Sequence, residues 1–522
     1  MEVELKLSAR AADVSALKRA LVEMTPGSVS SEERLISTYY DTRDLALKRQ
    51  GLTLRVREQA GRFIQTVKTD AVTGADMLSR GEWEDVVAEN RPDPRAAQSG
   101  ARLPEGVGDD LWPLFVTEVK RTSVAIEPTA ETEIEVSIDE GEIRGVASDR
   151  VEPISEIELE LKRGDAAALY DLALELLEGA PLRFEMRSKA ERGYRLVEGA
   201  EAAPAEVHAE PVPLDDTMSV ESALQKIGRG CLAQLLRNEA AVLSGQAEGV
   251  HQMRIAVRRL RSAMSAVKKM LSAEDYRWTS GELARLAGAL GPARDLDTFE
   301  TALLEPARDA LADEPGLDDL ATAIEGSRRV AYDRVREEIL SARYTQAMLR
   351  LLRWFDGHTL RRQPTSGSGA LLASPIREIA PRLLDRRRRR VRRRSKGFAQ
   401  ITPQQRHKLR IAAKKLRYTI DLFESLFDQD DLHKFVSRLK RLQDDLGYAN
   451  DVRVGHELLT ELTARAPRAS SVAGAGARVL AWHDQVLAEG ERKLHKRLRR
   501  LNHARPFWRS RQPVETRAQT RA

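Results

Sequence analysis

Glu2-Val-Glu-Leu-Lys6 opens the chain, and Glu156-Ile-Glu-Leu-Glu160 repeats its pattern far downstream. In both stretches charged residues alternate with apolar ones. Side chains at i, i+2 and i+4 of a strand share a face. Glu2, Glu4 and Lys6 therefore lie on one face, with Val3, Leu5 and Leu7 on the other. Leu52-Thr-Leu-Arg-Val-Arg57, Phe63-Ile-Gln-Thr-Val-Lys68 and Glu131-Thr-Glu-Ile-Glu135 alternate in the same way. One such strand is an ordinary half-buried strand with its charges in water, and that reading suffices for Glu131 and Glu135. It fails for the set, because the polar faces are nearly pure. Arg55 shares a face with Arg57, and Glu156 with Glu158 and Glu160. Like charges on neighbouring positions repel, unless counter-ions sit between them. Carboxylates with oxygen-only ligation suit Mg²⁺ or Mn²⁺, and paired Arg and Lys suit phosphoryl oxygens. A sheet closed on itself can hold both in one polar lumen.

The composition sets limits on the rest. The chain has 522 residues, 42% hydrophobic and 32% charged, which suits several soluble domains with ionic surfaces. A single cysteine, Cys231, excludes an internal disulfide and a Cys-rich zinc site. The start lacks a basic segment followed by an apolar run, so no signal peptide is expected. No apolar run reaches the length of a membrane span, so no membrane partner is expected and a cytoplasmic location is. Charge is divided unevenly. Residues 1–198 hold 27 basic and 39 acidic side chains, a net of −12, and the remainder carries +17. The basic part should attract a polyanion, and bound cations would explain the acidic part.

Beyond the strand-rich residues 1–198, which also predict helices near 11–24 and 165–179, residues 199–217 read as an Ala-, Glu- and Pro-rich linker. From 218 to 502 the apolar period changes to that of helices, with a break at 364–375, and residues 503–522 read as a disordered basic tail. The helical part repeats itself. His251-Gln-Met-Arg-Ile-Ala-Val-Arg-Arg-Leu-Arg261 recurs as His407-Lys-Leu-Arg-Ile-Ala-Ala-Lys-Lys-Leu-Arg417, and Leu290-Gly291 with Asp295 recurs as Leu446-Gly447 with Asp451. On a helix, His251, Arg254, Arg258 and Arg261 fall along one stripe, as do His407, Arg410, Lys414 and Arg417. Such stripes, with no acid between their first and last basic positions, suit a bound polyanion. Asp295 and Asp451 are read as positioning the arginines. The run Arg386–Arg394 could serve nucleic acid, but aromatic residues are only 5% and do not interleave with the basic stripes, which argues against that partner.

The strand motifs resemble the CYTH superfamily, the triphosphate tunnel metalloenzymes. The resemblance begins with Glu2-x-Glu4-x-Lys6 and continues through Tyr39-Tyr-Asp-Thr42, Leu54-Arg-Val-Arg57, Thr66-Val-Lys68, Arg121, Ile134 to Gly141, Ile157-Glu-Leu-Glu160 and Ser188-Lys-Ala-Glu-Arg-Gly-Tyr194. It implies an eight-stranded antiparallel β-tunnel with flanking helices, ahead of an all-α domain, so the fold class is α+β. It further implies that Lys6, Arg55, Arg57, Lys68, Arg121 and Lys189 grip a triphosphate. Glu2, Glu4, Asp139, Glu156 and Glu158 would hold Mg²⁺ or Mn²⁺, with Glu2, Glu4 and Lys6 as catalytic residues.

The helical part resembles the CHAD family, named for its histidines in an α-helical domain. That resemblance implies two duplicated four-helix units and polyphosphate as partner. The contacts would be His251, Arg254, Arg258, Arg259, Arg261, His407, Arg410, Lys414, Lys415 and Arg417. Together the two resemblances imply a divalent-metal-dependent hydrolase of inorganic triphosphate whose helical domain binds polyphosphate, with association to polyphosphate granules as a corollary. A non-catalytic polyphosphate-binding protein, and a thiamine-triphosphatase or adenylate cyclase of the same superfamily, stand as alternatives.

Overall fold

The structure, a computed structural model, describes residues 3–24, 30–69, 81–104, 106–199, 204–357, 368–465 and 469–509. The chain divides into two compact units. The first comprises Met1–Ala205 with Ile339–Thr359, and the second Glu206–Glu338 with Leu360–Ala522.

The first unit is built on one antiparallel sheet of strands β1 (Glu4–Ala9), β2 (Ser31–Asp41), β3 (Leu52–Gln59), β4 (Arg62–Thr69), β5 (Glu82–Val87), β6 (Trp112–Thr129), β7 (Thr132–Gly145), β8 (Val151–Arg163) and β9 (Leu182–Phe184). Their order is β5-β4-β3-β2-β6-β7-β8-β1-β9. Eight strands were expected. Eight of six residues or more are present, and the ninth is a three-residue strand pairing with β1. Among the described residues no ladder joins β5 to β9.

Four helices accompany these strands: α1 (Val14–Met24), α2 (Ala46–Arg49), α3 (Ala167–Gly179) and α4 (Lys189–Glu198). The alternation in the sequence sorts the two faces. Leu5 and Leu7 of β1, Ile157 and Leu159 of β8 and Ile134, Val136 and Ile138 of β7 are buried on the apolar side. The helix α3 packs on β8 and α1, and α1 contributes Val14, Leu17 and Leu21, the spacing of one helical face. The apolar sides of β3 and β4 (Leu54, Val56, Val67) are packed by Leu103, Val107 and Leu111 from the long connection after β5. Gln65, fully buried there, donates to Ser99 Oγ at 2.9 Å and to the Asp93 carbonyl at 3.0 Å.

The second unit and the segment shared with the first follow as α5 (Val220–Arg237), α6 (Glu239–Leu243), α7 (Ala247–Val267), α8 (Ala273–Thr298), α9 (Glu305–Ala310), α10 (Leu317–Leu340), α11 (Ala342–Asp356), α12 (Ser368–Ala373), α13 (Ile376–Arg394), α14 (Pro403–Phe423), α15 (Gln429–Arg465) and α16 (Ala469–His503). Of these, α11 belongs to the first unit, on α3 and β9. One core joins α13, α14, α15 and α16 through Leu384, Leu416, Phe435, Leu439 and Leu498. The two His-centred helices, α7 and α14, pack against each other.

Two expectations change here. Residues 206–217 are not a free linker: Val212 and Leu214 are buried, and Val207 exchanges both backbone hydrogen bonds with the Asn238 side chain at 3.0 and 2.8 Å. The tail is also ordered at its start. Phe507 and Trp508 are buried against Phe435, and Trp508 Nε1 donates to Asp385 at 2.9 Å. Two adjacent aromatic side chains outweigh the basic composition around them. Residues 510–522 lie outside the described residues.

Candidate functional site

The register brings the charged positions together strand by strand. Lys6 of β1 stands opposite Glu158 of β8, and Glu4 opposite Glu160. Glu156 pairs with Asp139 of β7, and Asp139 with Arg121 of β6. On the other arm of the sheet, Arg57 lies opposite Ser37 and Arg55 opposite Tyr39 on β2. Thr53 of β3 lies opposite Lys68, and Lys68 opposite Glu82 of β5.

Helix α4 completes this face. Ser188 caps it, accepting from the Glu191 amide at 3.0 Å while Glu191 accepts from the Ser188 amide at 2.6 Å. Its inner side carries Lys189 and Arg192, three apart. Gly193 lets the helix approach β6: a Cβ there would sit 2.1 Å from the Phe115 ring. Phe115 stacks on Tyr39 with centroids 4.6 Å apart and meets Tyr194 edge-on at 5.4 Å. Leu35, Val119, Ile143 and Ile154 share that core with Ala190 of α4. The Tyr194 hydroxyl donates at 3.0 Å to buried Asp41, which also accepts from the Leu47 and Lys48 amides of α2. The motifs around Asp41 and Ser188 thus anchor one element to another.

Inside this frame acids and bases interlock. Lys6 Nζ lies 2.9 Å from Glu158, 3.6 Å from Glu4 and 3.7 Å from Glu156. Lys189 Nζ lies 2.7 Å from Asp139 and 2.9 Å from Glu158, and also contacts Glu156. Arg121 grips Asp139 bidentately at 2.7 and 2.6 Å and reaches Glu158. Arg192 joins Glu156 at 3.0 Å and Glu152 at 2.7 Å. Burial opposes the charge on Glu158, but Lys189, Lys6 and Arg121 outweigh it and hold its carboxyl well below the usual range. Burial likewise works against charged Lys6 and Lys189. Their carboxylate neighbours win, and both ammoniums stay charged far above neutrality.

Arg57 differs. Among the described residues it has no carboxylate within ion-pair distance, and its Nε donates to Ser37 Oγ at 3.3 Å. Burial, with Arg55 next, pushes its pKa down to about 10. Arg55, Arg57 and Lys189 together outweigh burial and lower the pKa of the Tyr39 phenol. Positive charge is therefore in excess around Arg57.

Carboxylate oxygens of Asp139, Glu156 and Glu158 lie within 4.8 Å of one another. This oxygen-only donor set fits a hard divalent cation. Of the residues expected to hold metal, Glu2 lies outside the described residues, and among those described Glu4 reaches the cluster through Lys6. Of those expected to grip phosphate, Lys6, Arg121 and Lys189 hold carboxylates. Arg55 lies 3.5 Å from Glu82 and 3.9 Å from Glu84, and Lys68 lies 2.9 Å from Glu82. Sequence reading missed Glu82, Glu84 and Arg192. The first two repeat the same i, i+2 acidic signature, and the third sits one helical turn beyond Lys189.

In the second unit the stripes converge in part. Arg410 and Lys414 of α14 feel Arg258 of α7, which lies over the Tyr418 ring at 5.8 Å. Arg254 donates to the Gly291 and Leu290 carbonyls at 2.6 and 3.2 Å and stands 3.4 Å from Asp295. Burial, then Arg410 and Arg258, push the Lys414 ammonium down to about 7. Burial, then Arg294, lower the His251 pKa to about 4, so it is neutral at pH 7. His407 hydrogen-bonds Asn450 at 3.1 Å. The other four expected contacts lie elsewhere. Arg259 is buried, its guanidinium on the Glu210 carbonyl at 3.0 Å and on Gln234 at 3.4 Å. One residue past Arg258, it turns roughly a hundred degrees around the helix, into the core. Arg417 is held by Asp421 at 2.7 Å, and Lys415 and Arg261 gather beside Arg387 and Arg390. Part of the arginine run is structural: Arg386 caps the Ala266 carbonyl near the end of α7, and Arg388 those of Asn502 and Ala504 near the end of α16. No helix among the described residues is long and apolar enough to cross a membrane.

Over 201 residues the chain is 32% identical to the protein named inorganic triphosphatase of Haemophilus influenzae, a match covering 37% of this chain and 54% of that one. Over 282 residues it is 30% identical to an uncharacterized protein of Mycobacterium tuberculosis, covering 51% and 50%. The chain thus spans about half the length of these curated relatives. Among solved structures, the CHAD domain from the plant Ricinus communis superposes with a TM-score of 0.50 at 26% identity, over 58% of this chain and 98% of that one. Residues 1–194 match the family model of the CYTH domain and residues 226–460 that of the CHAD domain, so this chain is a CYTH domain followed by a CHAD domain.

Proposed function

We propose that the sheet unit hydrolyses inorganic triphosphate to diphosphate and phosphate with a divalent metal, and that the helical unit binds longer polyphosphate. The observation that carries the first part is the division of the charged face. Three carboxylates converge within 4.8 Å, while half-buried Arg57, beside Arg55, has no acid within ion-pair distance among the described residues. An anion with several charges fills that excess. Similarity over 37% of the chain to a protein named inorganic triphosphatase supports the choice of substrate.

Asp139, Glu156 and Glu158 would hold Mg²⁺ or Mn²⁺. When bound, the ion withdraws charge from phosphoryl oxygens and lowers the pKa of a coordinated water. The protein's own groups do the rest. Arg55 and Arg57 orient the phosphate chain and take up the charge that develops on the transferred group. Lys6, Lys189 and Arg121, which pair with the carboxylates, would turn toward substrate oxygens once those acids held a cation. Water oxygen attacks the terminal phosphorus, the anhydride P–O bond breaks, and diphosphate leaves with the bonding electrons. The water proton passes to a carboxylate. Glu4, whose one ion pair among the described residues is with Lys6 at 3.6 Å, is the carboxylate we assign to accept it. In the helical unit, Arg254, Arg258, Arg410 and Lys414 would contact polyphosphate.

Phosphate release is measured with tripolyphosphate, ATP and thiamine triphosphate, each with Mg²⁺, Mn²⁺ or EDTA. The expected outcome is release from tripolyphosphate that stops in EDTA and falls by at least about 10²-fold in Arg57→Ala. No release from any substrate by folded protein that still binds polyphosphate would leave a binding protein.

A further inference from the structure

The helices α15 and α16 pack side by side, and a cleft of about 300 Å³ opens between them. Its lining is wholly cationic: Arg438 and Arg441 from α15, and Lys493, Lys496, Arg497 and Arg500 from α16. Each set follows helical spacing, so both walls present one charged face. Beside it, Asp445 is taken by Arg497, which also donates to the Arg441 carbonyl at 3.1 Å. Glu491 is taken by Arg406 at 2.7 and 2.8 Å. The other five cations have no carboxylate within ion-pair distance among the described residues.

The repeat makes this more than a solvated surface. The residue 156 positions before Arg441 is Arg285, and the one before Arg438 is Glu282. Arg285 lies between Glu282, at 2.8 Å, and Glu338. One copy of the repeat is neutralised by its own acids, and the other keeps its cations free along a concavity. Five unpaired cations around one cleft repel each other and concentrate an anion there.

We propose that the α15–α16 groove is a second anion site, taking a linear inorganic phosphate chain across several successive phosphates. Lys493 to Arg500 spans about 10 Å along the helix, long enough to meet more than one phosphate. Guanidinium forks and ammonium point charges both suit phosphoryl oxygens. No aromatic side chain lines the cleft, so it has no stacking platform for bases. The groove shares no residue with the group around Arg258 and Lys414 and does not depend on catalysis by the sheet unit.

The test is lysine acetylation of the full chain, read by mass spectrometry, with and without inorganic polyphosphate in EDTA at low salt. Polyphosphate is expected to slow acetylation of Lys493 and Lys496 severalfold. In R438A/R441A that protection is lost while Lys414 stays protected, and binding becomes less salt-dependent by about two counterions. Equal acetylation of Lys493 and Lys496 with and without polyphosphate overturns the groove. If Lys414 is still protected then, polyphosphate binding by the helical unit survives. Equal protection by a single-stranded oligonucleotide at the same phosphate concentration overturns the assignment to an inorganic chain.

Discussion

Lys414 shows how far a single side chain can be read before its neighbours are known. From the sequence it is one of four basic residues on a stripe, the lysine that stands where the earlier repeat has Arg258. In the folded unit it is half-buried beside Arg410 and Arg258, and its pKa falls to about 7. Burial disfavours an ammonium, and like charges add to that effect. A bound phosphate chain favours the charged form and raises the pKa, so binding takes up a proton. Affinity for polyphosphate is therefore full below about pH 7 and falls as pH rises through it, by up to about tenfold per unit. Calorimetric titrations between about pH 6 and about pH 8 should show this fall, and Lys414→Arg, whose guanidinium stays charged, should flatten it. An equal fall in Lys414→Arg would place the titrating group elsewhere. Arg259 teaches the converse. Its residue type matched its neighbours', but its position around the helix points it into the core.

Strands were the most legible elements, because alternation alone states which side chains share a face. Lys6, Asp139, Glu156 and Glu158 lie together for that reason. Partners across the sheet were not legible, since strand order and register come from long-range pairing. Glu82 went unassigned because nothing local says that β5 lies beside β4. Helix α4 was visible only as a string of motif letters, and its structure explains each: Ser188 caps, Lys189 and Arg192 reach acids, and Gly193 clears Phe115. Gly193→Ala puts a methyl group against a ring already stacked on Tyr39, and overpacking of this kind costs about 1–3 kcal/mol. Thermal melting should show that loss. Phosphate release should fall further than stability alone explains, because a displaced α4 carries Lys189 and Arg192 away from their acids. Unchanged melting in Gly193→Ala would mean that α4 can shift freely and does not hold the site.

Across the whole molecule, one boundary could not be read from periodicity at all. Helix α11 lies in sequence between helices of the second unit and shares their apolar period, but Ile339–Thr359 belongs to the sheet unit. Its contacts explain why. Tyr170 of α3, buried against it, donates its hydroxyl to Asp356, and Arg353 pairs with Asp171. Leu349, Leu352 and Phe355 are buried as well. The sheet unit is thus finished by a segment made well over a hundred residues after its last strand. A chain ending near 205 leaves the α3 surface that α11 covers exposed to water, and apolar area returned to water costs about 25 cal/mol per Å². Asp356→Ala tests the point within the full chain. Removing the acceptor of the Tyr170 hydroxyl should cost about 1 kcal/mol, and hydrogen exchange should quicken in α3 and β9 while α14 and α15 keep their protection. Quickening confined to the helical unit would show that α11 stabilises its sequence neighbours instead. The expected pattern would mean that the sheet unit needs the later chain in order to be complete.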